Sequence, residues 1–421
     1  MRSELIAPGA SAAVEVAARL RAEVPAGESV AAEVAEIIAE VRRGGDGALA
    51  GLTRRFDTAG AEPPAVVATA GELEAAVAAL DPAVRDGLEL AIANVGRVAA
   101  AGLREDRVVA FEHHQVVLRE TPVHRAAVYV PGGRAPYPST VVMGVATAKA
   151  AGVADVAVCT PPGRDGTVNP AILAACALAG ADQVLRIGGA HAVAALAHGT
   201  TMIAPADVIV GPGNLYVQEA KRQLSGQVGI DSFAGPSDLL VIADADAGAE
   251  PVALDLLAQA EHGAGTIVVA VSTSADLLVT LQERIAGVPD TGAVVALVHV
   301  ADLESGLALA EAFAPEHLEL IGMTAGQLAP RVTRSGCVFV GAQSGTAFGD
   351  YIAGSNHTLP TGGAARFASA LGPQHFRRSF CEVRIADGSA LARAAAPIAR
   401  AEGFELHAQS MEARIRENGQ Q

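Results

Sequence analysis

One pattern restricts the possible folds of this chain more than any other. Between residues 126 and 224 an apolar strand, a glycine-rich turn and a helix follow one another four times, and the strand-and-turn segments are AAVYVPGG, VADVAVCTPPG, DQVLRIGGA and ADVIVGPGN. Apolar runs that alternate with helices are typical of a parallel sheet covered by helices on both faces. The pattern therefore predicts a doubly wound sheet, in which ligands bind at the carboxyl ends of the strands.

The same alternation resumes after residue 236 and predicts a second α/β block. Its strands are SDLLVIAD, TIVVAV, AVVALVHV, LELIG and GCVFVG, and the helices between them are predicted at 249–262, 274–287, 302–313 and 324–333. Further helices are predicted at 28–57 and 71–103, a hairpin at 107–121 and a helical tail at 389–417. Residues 341–373 are rich in Gly, Ser, Thr and Pro and predict a long loop, which inside a compact protein is usually functional.

Charge and composition exclude several classes of protein. A net charge of −16 argues against a general binder of nucleic acids or anionic membranes, because both require a basic surface. The longest uncharged stretch, between Arg186 and Asp207, is broken by Gly, His and Pro and does not resemble a membrane span. The N-terminus lacks the basic segment and apolar core of a signal peptide. We therefore expect a soluble, cytoplasmic protein.

Three glycine-rich turns lie between a strand and a helix and suggest a phosphate-bearing ligand. They are Val130–Gly133, Ile187–Ala190 and Val210–Asn214. Glycine lets a phosphate approach the backbone, and the start of a helix favours its charge. The alternative is that tight strand–helix turns need glycine in any α/β protein. None of the three matches GxGxxG, since Tyr216 stands where the third glycine would be, so the ordinary nicotinamide fingerprint is absent.

A glutamate and a histidine, Glu316 and His317, stand side by side after Pro315 in the apolar segment FAPEHLELIG. On a turn, adjacent side chains can both face one cleft, where histidine titrates near neutral pH and a carboxylate can serve a second proton transfer. The alternative is an acid that interacts with a helix end beside a structural histidine. The residues alone leave both interpretations open.

Other polar residues are candidates for a metal or substrate site. Gln259 and His262 are three residues apart and share one face of a predicted helix, although His262 can equally interact with the helix dipole. Asp350 and His357 fall in the glycine-rich loop, where they can form either turns or a site. Among the four cysteines only Cys159, at the end of a strand, is placed for chemistry, and a catalytic thiol is not favoured.

Taken together, several long segments resemble the histidinol dehydrogenase family. They are IDSFAGPSDLLVIAD followed by AQAEHG, together with YVPGGRAPYPSTVVM, GPGNLYVQEAKRQ, APEHLEL and GDYIAGSNHTLPT, in the order in which the family has them. The resemblance runs from about RRGGDGAL to AEGFELH and so covers most of the chain. It implies the oxidation of L-histidinol to L-histidine through a bound aldehyde, with two NAD⁺, as the last step of histidine biosynthesis.

The resemblance also implies a set of site residues. One Zn²⁺ per subunit would be held by Gln259, His262, Asp350 and His407, the last from the partner subunit of a homodimer, and its role would be mainly to position the substrate. The substrate would contact these four residues and also Ser237, His317, His357 and Glu402. NAD would contact Tyr129, His191 and Asn214. His317 would take the hydroxyl proton, and Glu316 would activate the water that adds to the aldehyde.

The combined interpretation is a fold of two doubly wound, Rossmann-like α/β domains with parallel sheets and small helical terminal segments that form the dimer. The expected boundaries are an N-terminal segment at 1–25, a first domain with the metal and catalytic residues at 26–126 and 237–372, a second domain on the NAD side at 127–236, and a helical tail at 373–421. Three departures from the family pattern stand out: His191 replaces a usual Gln, Asp238 replaces a common Glu, and the segment from His262 to Pro315 is shorter.

Two other functions are compatible with some of the same residues. A zinc hydrolase would use Glu316 to activate water, but it leaves the glycine-rich turns unexplained and predicts no reduction of NAD⁺. A catalytically silent binding protein would hold histidinol and zinc without turnover, and the presence of both Glu316 and His317 argues against it.

Overall fold

The computed structural model describes residues 2–6, 13–24, 29–132, 135–233 and 235–416, so Gly133 of the first glycine-rich turn and parts of both predicted terminal segments lie outside the described residues. The strands are β1 (Arg2–Ile6), β2 (Arg107–Ala110), β3 (His114–Pro122), β4 (Arg125–Tyr129), β5 (Asp155–Thr160), β6 (Gln183–Arg186), β7 (Val208–Val210), β8 (Gly229–Ile230), β9 (Asp238–Ala243), β10 (Ile267–Ser272), β11 (Val294–His299), β12 (His317–Ile321), β13 (Cys337–Val340) and β14 (Arg377–Ile385).

The helices alternate with these strands through the middle of the chain. They are α1 (Ala13–Ala22), α2 (Ala31–Phe56), α3 (Ala70–Ala79), α4 (Pro82–Ala101), α5 (Pro138–Ala150), α6 (Pro170–Ala179), α7 (Gly189–His198), α8 (Leu215–Leu224), α9 (Ala249–Ala260), α10 (Ala275–Ala286), α11 (Leu303–Phe313), α12 (Met323–Gly326), α13 (Thr346–Tyr351), α14 (Ser389–Ala401) and α15 (Glu405–Glu412). Short 3₁₀ turns lie at Ala329–Arg331, Ala364–Arg366 and Pro373–Phe376.

Two parallel sheets confirm the predicted fold class, and they share one topology. In one sheet the order is β1-β11-β10-β9-β12-β13, and in the other it is β6-β5-β4-β7-β8. Apart from the edge strand β1, each sheet runs from a central strand outward through two strands and then crosses to the other side of the first. This crossing creates a switch point between β9 and β12 in the first sheet and between β4 and β7 in the second.

Helices bury both faces of each parallel sheet, as the continuous apolar runs predict. On β9, Leu239 and Val241 pack in one buried cluster with α9 and α10, while Leu240 and Ile242 pack in another with α1 and α11. This alternation follows from the two-residue repeat of a strand, which sends successive side chains to opposite faces. The central strands are therefore fixed in register, and the residues at their ends are held in fixed positions.

The chain divides into two compact units, Met1–Gly102 with Val123–Phe376, and Leu103–Pro122 with Arg377–Gln421. The first contains both parallel sheets. The second contains the antiparallel sheet β14-β3-β2 and the helices α14 and α15, so the predicted hairpin and helical tail both belong to it. Within the described part of the chain, no helix is both long and apolar enough to cross a membrane.

Several local predictions were wrong. The helix predicted at 324–333 is only the short α12 and a 3₁₀ turn, and the long loop at 341–373 contains the helix α13. Three strands were not predicted at all: β1, which pairs with β11, β8, which pairs with β7, and β14, which pairs with β3. Each lies at the edge of a sheet and owes its structure to its partner strand rather than to a local apolar pattern.

Candidate active site

The candidate active site lies at the amino ends of β9 and β12. Asp238 and His317 are the first residues of these two strands, which pair in parallel with His317 opposite Leu239. At the carboxyl ends of the same strands, the Asp244 carboxylate accepts hydrogen bonds from the backbone N–H groups of Thr324 (2.8 Å) and Ala325 (2.9 Å). At this end of the sheet, where ligands bind in many doubly wound sheets, the Asp244 side chain thus binds the start of α12.

Glu316 is buried immediately before β12, with 6% of its surface exposed. Its Oε2 accepts hydrogen bonds from the hydroxyl of Ser237 and from the backbone N–H of Asp238 (3.0 Å), while its own N–H donates to the Asp238 carboxylate (2.7 Å). Burial raises the pKa of Glu316 to about 7, because water no longer stabilises its charge. A carboxyl group with this pKa can accept or donate a proton near neutral pH.

Arg21 on α1 holds the carboxylate that organises this turn. Its guanidinium pairs with Asp238 (2.6 Å), donates to the carbonyl oxygen of Phe313 (2.8 Å), and lies over the Phe313 ring at 3.8 Å from its centre. Arg21 was not predicted from the sequence, since it lies 217 residues from Asp238 and in a helix without any recognisable motif. It fixes Asp238, which in turn fixes the backbone of Glu316.

His317 is buried between two polar groups. Its Nδ1 lies 3.2 Å from the carbonyl oxygen of Asp238, and its Nε2 lies 3.7 Å from Oδ1 of Asp350. Burial lowers the pKa of His317, but the nearby carboxylates of Glu316 and Asp350 outweigh burial and raise it to about 9. A carbonyl oxygen can accept but not donate, so the Asp238 carbonyl fixes the proton on Nδ1 and leaves Nε2, facing Asp350, as the atom that exchanges a proton.

Asp350, on α13, is the point at which the histidines converge. Burial raises its pKa, yet His317, His357 and His262 together outweigh burial and lower it. His357 contributes a direct contact, with Nδ1 3.0 Å from the carbonyl oxygen of Asp350, and its Nε2 lies 3.4 Å from the hydroxyl of Thr140 on α5. The glycine-rich loop therefore brings a carboxylate and an imidazole to the Glu316–His317 pair.

The end of α9 completes this cluster. Gln259 is buried in the last turn, and its side-chain N–H donates to the hydroxyl of Ser237, which leaves its carbonyl oxygen as the acceptor available to a ligand. His262 follows the helix and is exposed. Partial loss of hydration lowers the pKa of His262 although its side chain reaches the surface, while Asp350 raises it, so the two side chains are electrostatically coupled.

The donors brought together in the first unit fit a divalent metal. They are one amide oxygen, one imidazole and one carboxylate, from Gln259, His262 and Asp350, and zinc takes nitrogen and oxygen ligands of these kinds. Among the described residues, no three His, Cys, Asp or Glu side chains form a metal cluster by themselves. The remaining predicted ligand, His407, and the predicted substrate residue Glu402 are exposed and belong to the second unit.

The predicted cofactor residues lie at the carboxyl ends of the second sheet, around its switch point. Tyr129 ends β4, and its hydroxyl accepts a hydrogen bond from the N–H of Gly189 (3.0 Å) at the start of α7. Asn214 is exposed and caps α8 through the N–H of Val217 (3.1 Å). Burial raises the pKa of the Cys159 thiol, which argues against a thiolate at this edge.

The His191 side chain is buried rather than open to a ligand. Only 1% of its side chain is exposed, and its Nε2 lies 3.1 Å from Oδ2 of Asp57, just after α2. Its Cε1 and Nδ1 atoms lie on the side of Gly189, within 3.3 Å of the position that a Cβ would take there. The ring therefore backs the turn at Gly189 rather than projecting from it.

A buried ion pair holds the third glycine-rich turn. Lys221 is fully buried, pairs with Asp231, and donates to the carbonyl oxygen of Gly211 at 3.0 Å. The other oxygen of Asp231 accepts from the Gly211 N–H at 2.8 Å. Gly211 has φ of 110°, a conformation that favours glycine, and a Cβ there would collide with the backbone of Tyr129. Both the backbone N–H and the carbonyl oxygen of Gly211 are thereby fixed at the switch point.

Comparison with known proteins gives one consistent result. Residues 21–415 match the family model described as histidinol dehydrogenase. The chain is 44% identical over 405 residues to a histidinol dehydrogenase of Parasynechococcus marenigrum, with 92% of each chain covered, and 40% identical over 420 residues to one of Rhizobium meliloti, with 95% of each covered. A crystal structure of histidinol dehydrogenase from Elizabethkingia anophelis has a TM-score of 0.92 at 30% identity and covers 98% of both chains.

Proposed function

The chain belongs to the histidinol dehydrogenase family, and from this premise we propose that it oxidises L-histidinol to L-histidine at one site, in two steps through bound histidinal, using Zn²⁺ and two NAD⁺. The observation that carries the proposal is the buried Glu316–His317 pair beside Asp350. The pair supports the proposal because it offers two proton-transferring groups beside Asp350, one of the proposed metal ligands, and each of two successive oxidations requires a proton transfer.

The metal would be held by Gln259, His262 and Asp350 together with His407 of the partner subunit. When bound, the ion would supply a Lewis acid that grips the imidazole and amine of the substrate. The first unit supplies three of the four proposed metal donors. In a homodimer, the second unit of each copy would supply the fourth donor to the site of the other copy. Ser237, His357 and Glu402 would line the substrate beside these ligands.

The first oxidation requires a base for the hydroxyl proton. His317 takes this proton at Nε2, because its Nδ1 is directed at the Asp238 carbonyl and is not free to accept. Only the neutral imidazole can accept this proton, and because the pKa of His317 is raised to about 9, the first oxidation is expected to become faster as the pH rises toward 9. When bound, NAD⁺ would supply the hydride acceptor for each of the two oxidations.

The second oxidation requires water to add to the aldehyde. Glu316 removes a proton from that water, and its pKa of about 7 suits a base that works near neutral pH. Ser237 and the Asp238 N–H both donate to Oε2 and hold the carboxylate in one orientation. His317 again takes the proton of the hydrated aldehyde, so that one adjacent pair serves both steps.

The cofactor would bind at the carboxyl ends of the second sheet, at Tyr129, His191 and Asn214. The backbone of the turns at Gly189 and Gly211 lies near the switch point of the second sheet. Dinucleotides bind at such switch points in doubly wound sheets. His191 would act there from behind the Gly189 turn. A net charge of −16 fits small-molecule ligands rather than nucleic acid or an anionic membrane, and we propose a cytoplasmic protein.

Removal of the metal tests this proposal. Treatment with a chelator is expected to lower histidinol-dependent reduction of NAD⁺ at least about 100-fold, because the substrate loses the ion that orients it. Stoichiometric Zn²⁺ should restore the rate, and Mg²⁺, which prefers oxygen ligands, should not. The measurement is NADH absorbance, with circular dichroism to show that the chelated protein stays folded. A chelated, metal-free protein with an unchanged rate would refute the role of the metal.

A further inference from the structure

Behind the candidate site, a buried glutamate, Glu319, meets a half-buried aspartate, Asp255. Glu319 on β12 has no exposed surface and lies two residues after His317, so the two side chains share one face of the sheet. Asp255 on α9 lies one helical turn before Gln259 and contacts the Glu319 side chain. The pair thus sits one layer behind the groups that carry the proposed chemistry.

The hydrogen bonds of Glu319 leave one oxygen without a donor. Its Oε1 accepts from the backbone N–H of Thr346 (2.7 Å) and from the Thr346 hydroxyl. Its Oε2 is buried and, among the described residues, has no hydrogen-bond partner when both acids are ionised. The neighbours level with Glu319 on the adjacent strands are Val241 and Phe339, which are apolar and cannot donate.

A proton on the pair removes this deficit. Two carboxylates in contact in a buried site repel each other, and each also loses hydration, so one of them keeps its proton. Burial raises the pKa of Asp255, and burial together with Asp255 raises the pKa of Glu319 to about 7. The O–H of one acid then donates to the other.

We propose that Asp255 and Glu319 share a single proton and that this acid pair positions α13, and with it Asp350, beside His317. Thr346 is the first residue of α13, and Asp350 lies one turn later on the same helix. The pair therefore joins three elements, α9, β12 and α13, which carry Gln259, His317 and Asp350.

The packing around the pair fits this role. A Cβ on Gly345 would lie 2.8 Å from Oδ1 of Asp255, so a residue without a side chain lets the start of α13 approach the pair closely. Gly349, at the next turn, has the Phe339 ring where a Cβ would stand. The helix is thus seated directly on the face that bears Glu319.

The shared proton is tested first by stability, without any ligand. The charged groups that face the pair are His317 and the two acids themselves. Because the folded pKa of Glu319 lies above its ordinary value of 4.5, wild-type protein retains a proton that the unfolded chain releases. The Tm of the wild type, relative to Glu319→Gln, should therefore fall as the pH rises from about 4.5 to about 7. A difference in Tm that does not change over this range would overturn the proposal.

Positioning is tested with zinc alone. Glu319→Gln and Asp255→Asn each supply an amide N–H in place of the shared proton, so zinc affinity should stay within about threefold of wild type, whereas Glu319→Ala should lose about 10- to 100-fold. Glu250→Gln, an exposed acid on α9, is the matched control and should change nothing. Equal losses in Glu319→Ala and Glu319→Gln would contradict the pairing.

The proposed positioning of Asp350 rests on the proposed function, but different results would contradict the proposed function and the shared proton. If wild-type protein binds no zinc or does not oxidise histidinol, the proposed function is wrong, while the pH dependence of Tm still decides whether the acids share a proton. If Glu319→Ala does not fold, Asp255→Asn and Glu319→Gln carry the test. Both variants must keep zinc affinity, and both must lack the fall in Tm that the shared proton causes in wild-type protein as the pH rises.

Discussion

Replacement of His317 by glutamine is expected to lower the rate of histidinol oxidation by about 10²- to 10⁴-fold, the range that a general base contributes. Glutamine is close to histidine in size and can still donate to the Asp238 carbonyl, so the turn should keep its shape. It has no group that accepts a proton at the position of Nε2. We therefore expect the loss in kcat, with KM for histidinol changed much less.

The measurement is the steady-state rate of NADH formation over a range of histidinol concentrations, which gives kcat and KM separately. His299→Gln is the matched control. His299 ends β11 in the same sheet, and its one hydrogen-bond partner among the described residues is the carbonyl oxygen of Thr273. It should oxidise histidinol at the wild-type rate. If His317→Gln retains a rate near that of wild type, His317 is not the base.

Replacement of Glu316 by glutamine is expected to separate the two oxidations. The amide oxygen can still accept from Ser237 and from the Asp238 N–H, so the geometry should survive while the base for water is lost. Oxidation of histidinal should fall by about 10²-fold or more, and oxidation of histidinol by much less, because only the second step consumes water. Histidinal should accumulate, and the NADH formed per histidinol consumed should fall from two toward one.

This prediction is checked by assaying the variant with histidinol and with histidinal separately. Glu283→Gln, an exposed residue of α10, serves as the control and should affect neither rate. Equal losses on the alcohol and the aldehyde would show that Glu316 supports the site as a whole rather than the addition of water.

The fold could be predicted largely from local patterns. The apolar runs that become β4, β5, β9 and β10 are buried on both faces, so each gives a strong signal without its neighbours. The edge strands β1 and β14 gave no such signal, since their pairing with β11 and β3 depends on partners far away in the chain. The sequence of the long loop did not reveal α13, because this helix has only six residues, one of them Gly349, and is too short to show a helical period.

The site could be predicted in its residue types but not in its arrangement. Glu316 and His317 were recognisable as adjacent groups, and the resemblance supplied Gln259, His262 and Asp350. Neither shows that the site forms at the amino ends of the strands, because the rule for doubly wound sheets points to the other edge. At that edge Asp244 accepts hydrogen bonds from Thr324 and Ala325, about eighty residues away in the chain.

The residues that hold the site in place escaped sequence analysis for a similar reason. Arg21 acts on Glu316 through Asp238, and Asp255 acts on Asp350 through Glu319 and Thr346. Each is an ordinary charged residue in a helix, with no motif around it. Its function becomes visible only when the tertiary structure brings the partner carboxylate within reach and removes water from both.

The central claim, that one Glu–His pair serves two consecutive oxidations, is tested most directly by product stoichiometry. With limiting histidinol and excess NAD⁺, the account predicts two NADH for each histidine formed, with no histidinal free in solution. One NADH for each histidinol consumed, with the aldehyde released, would contradict it.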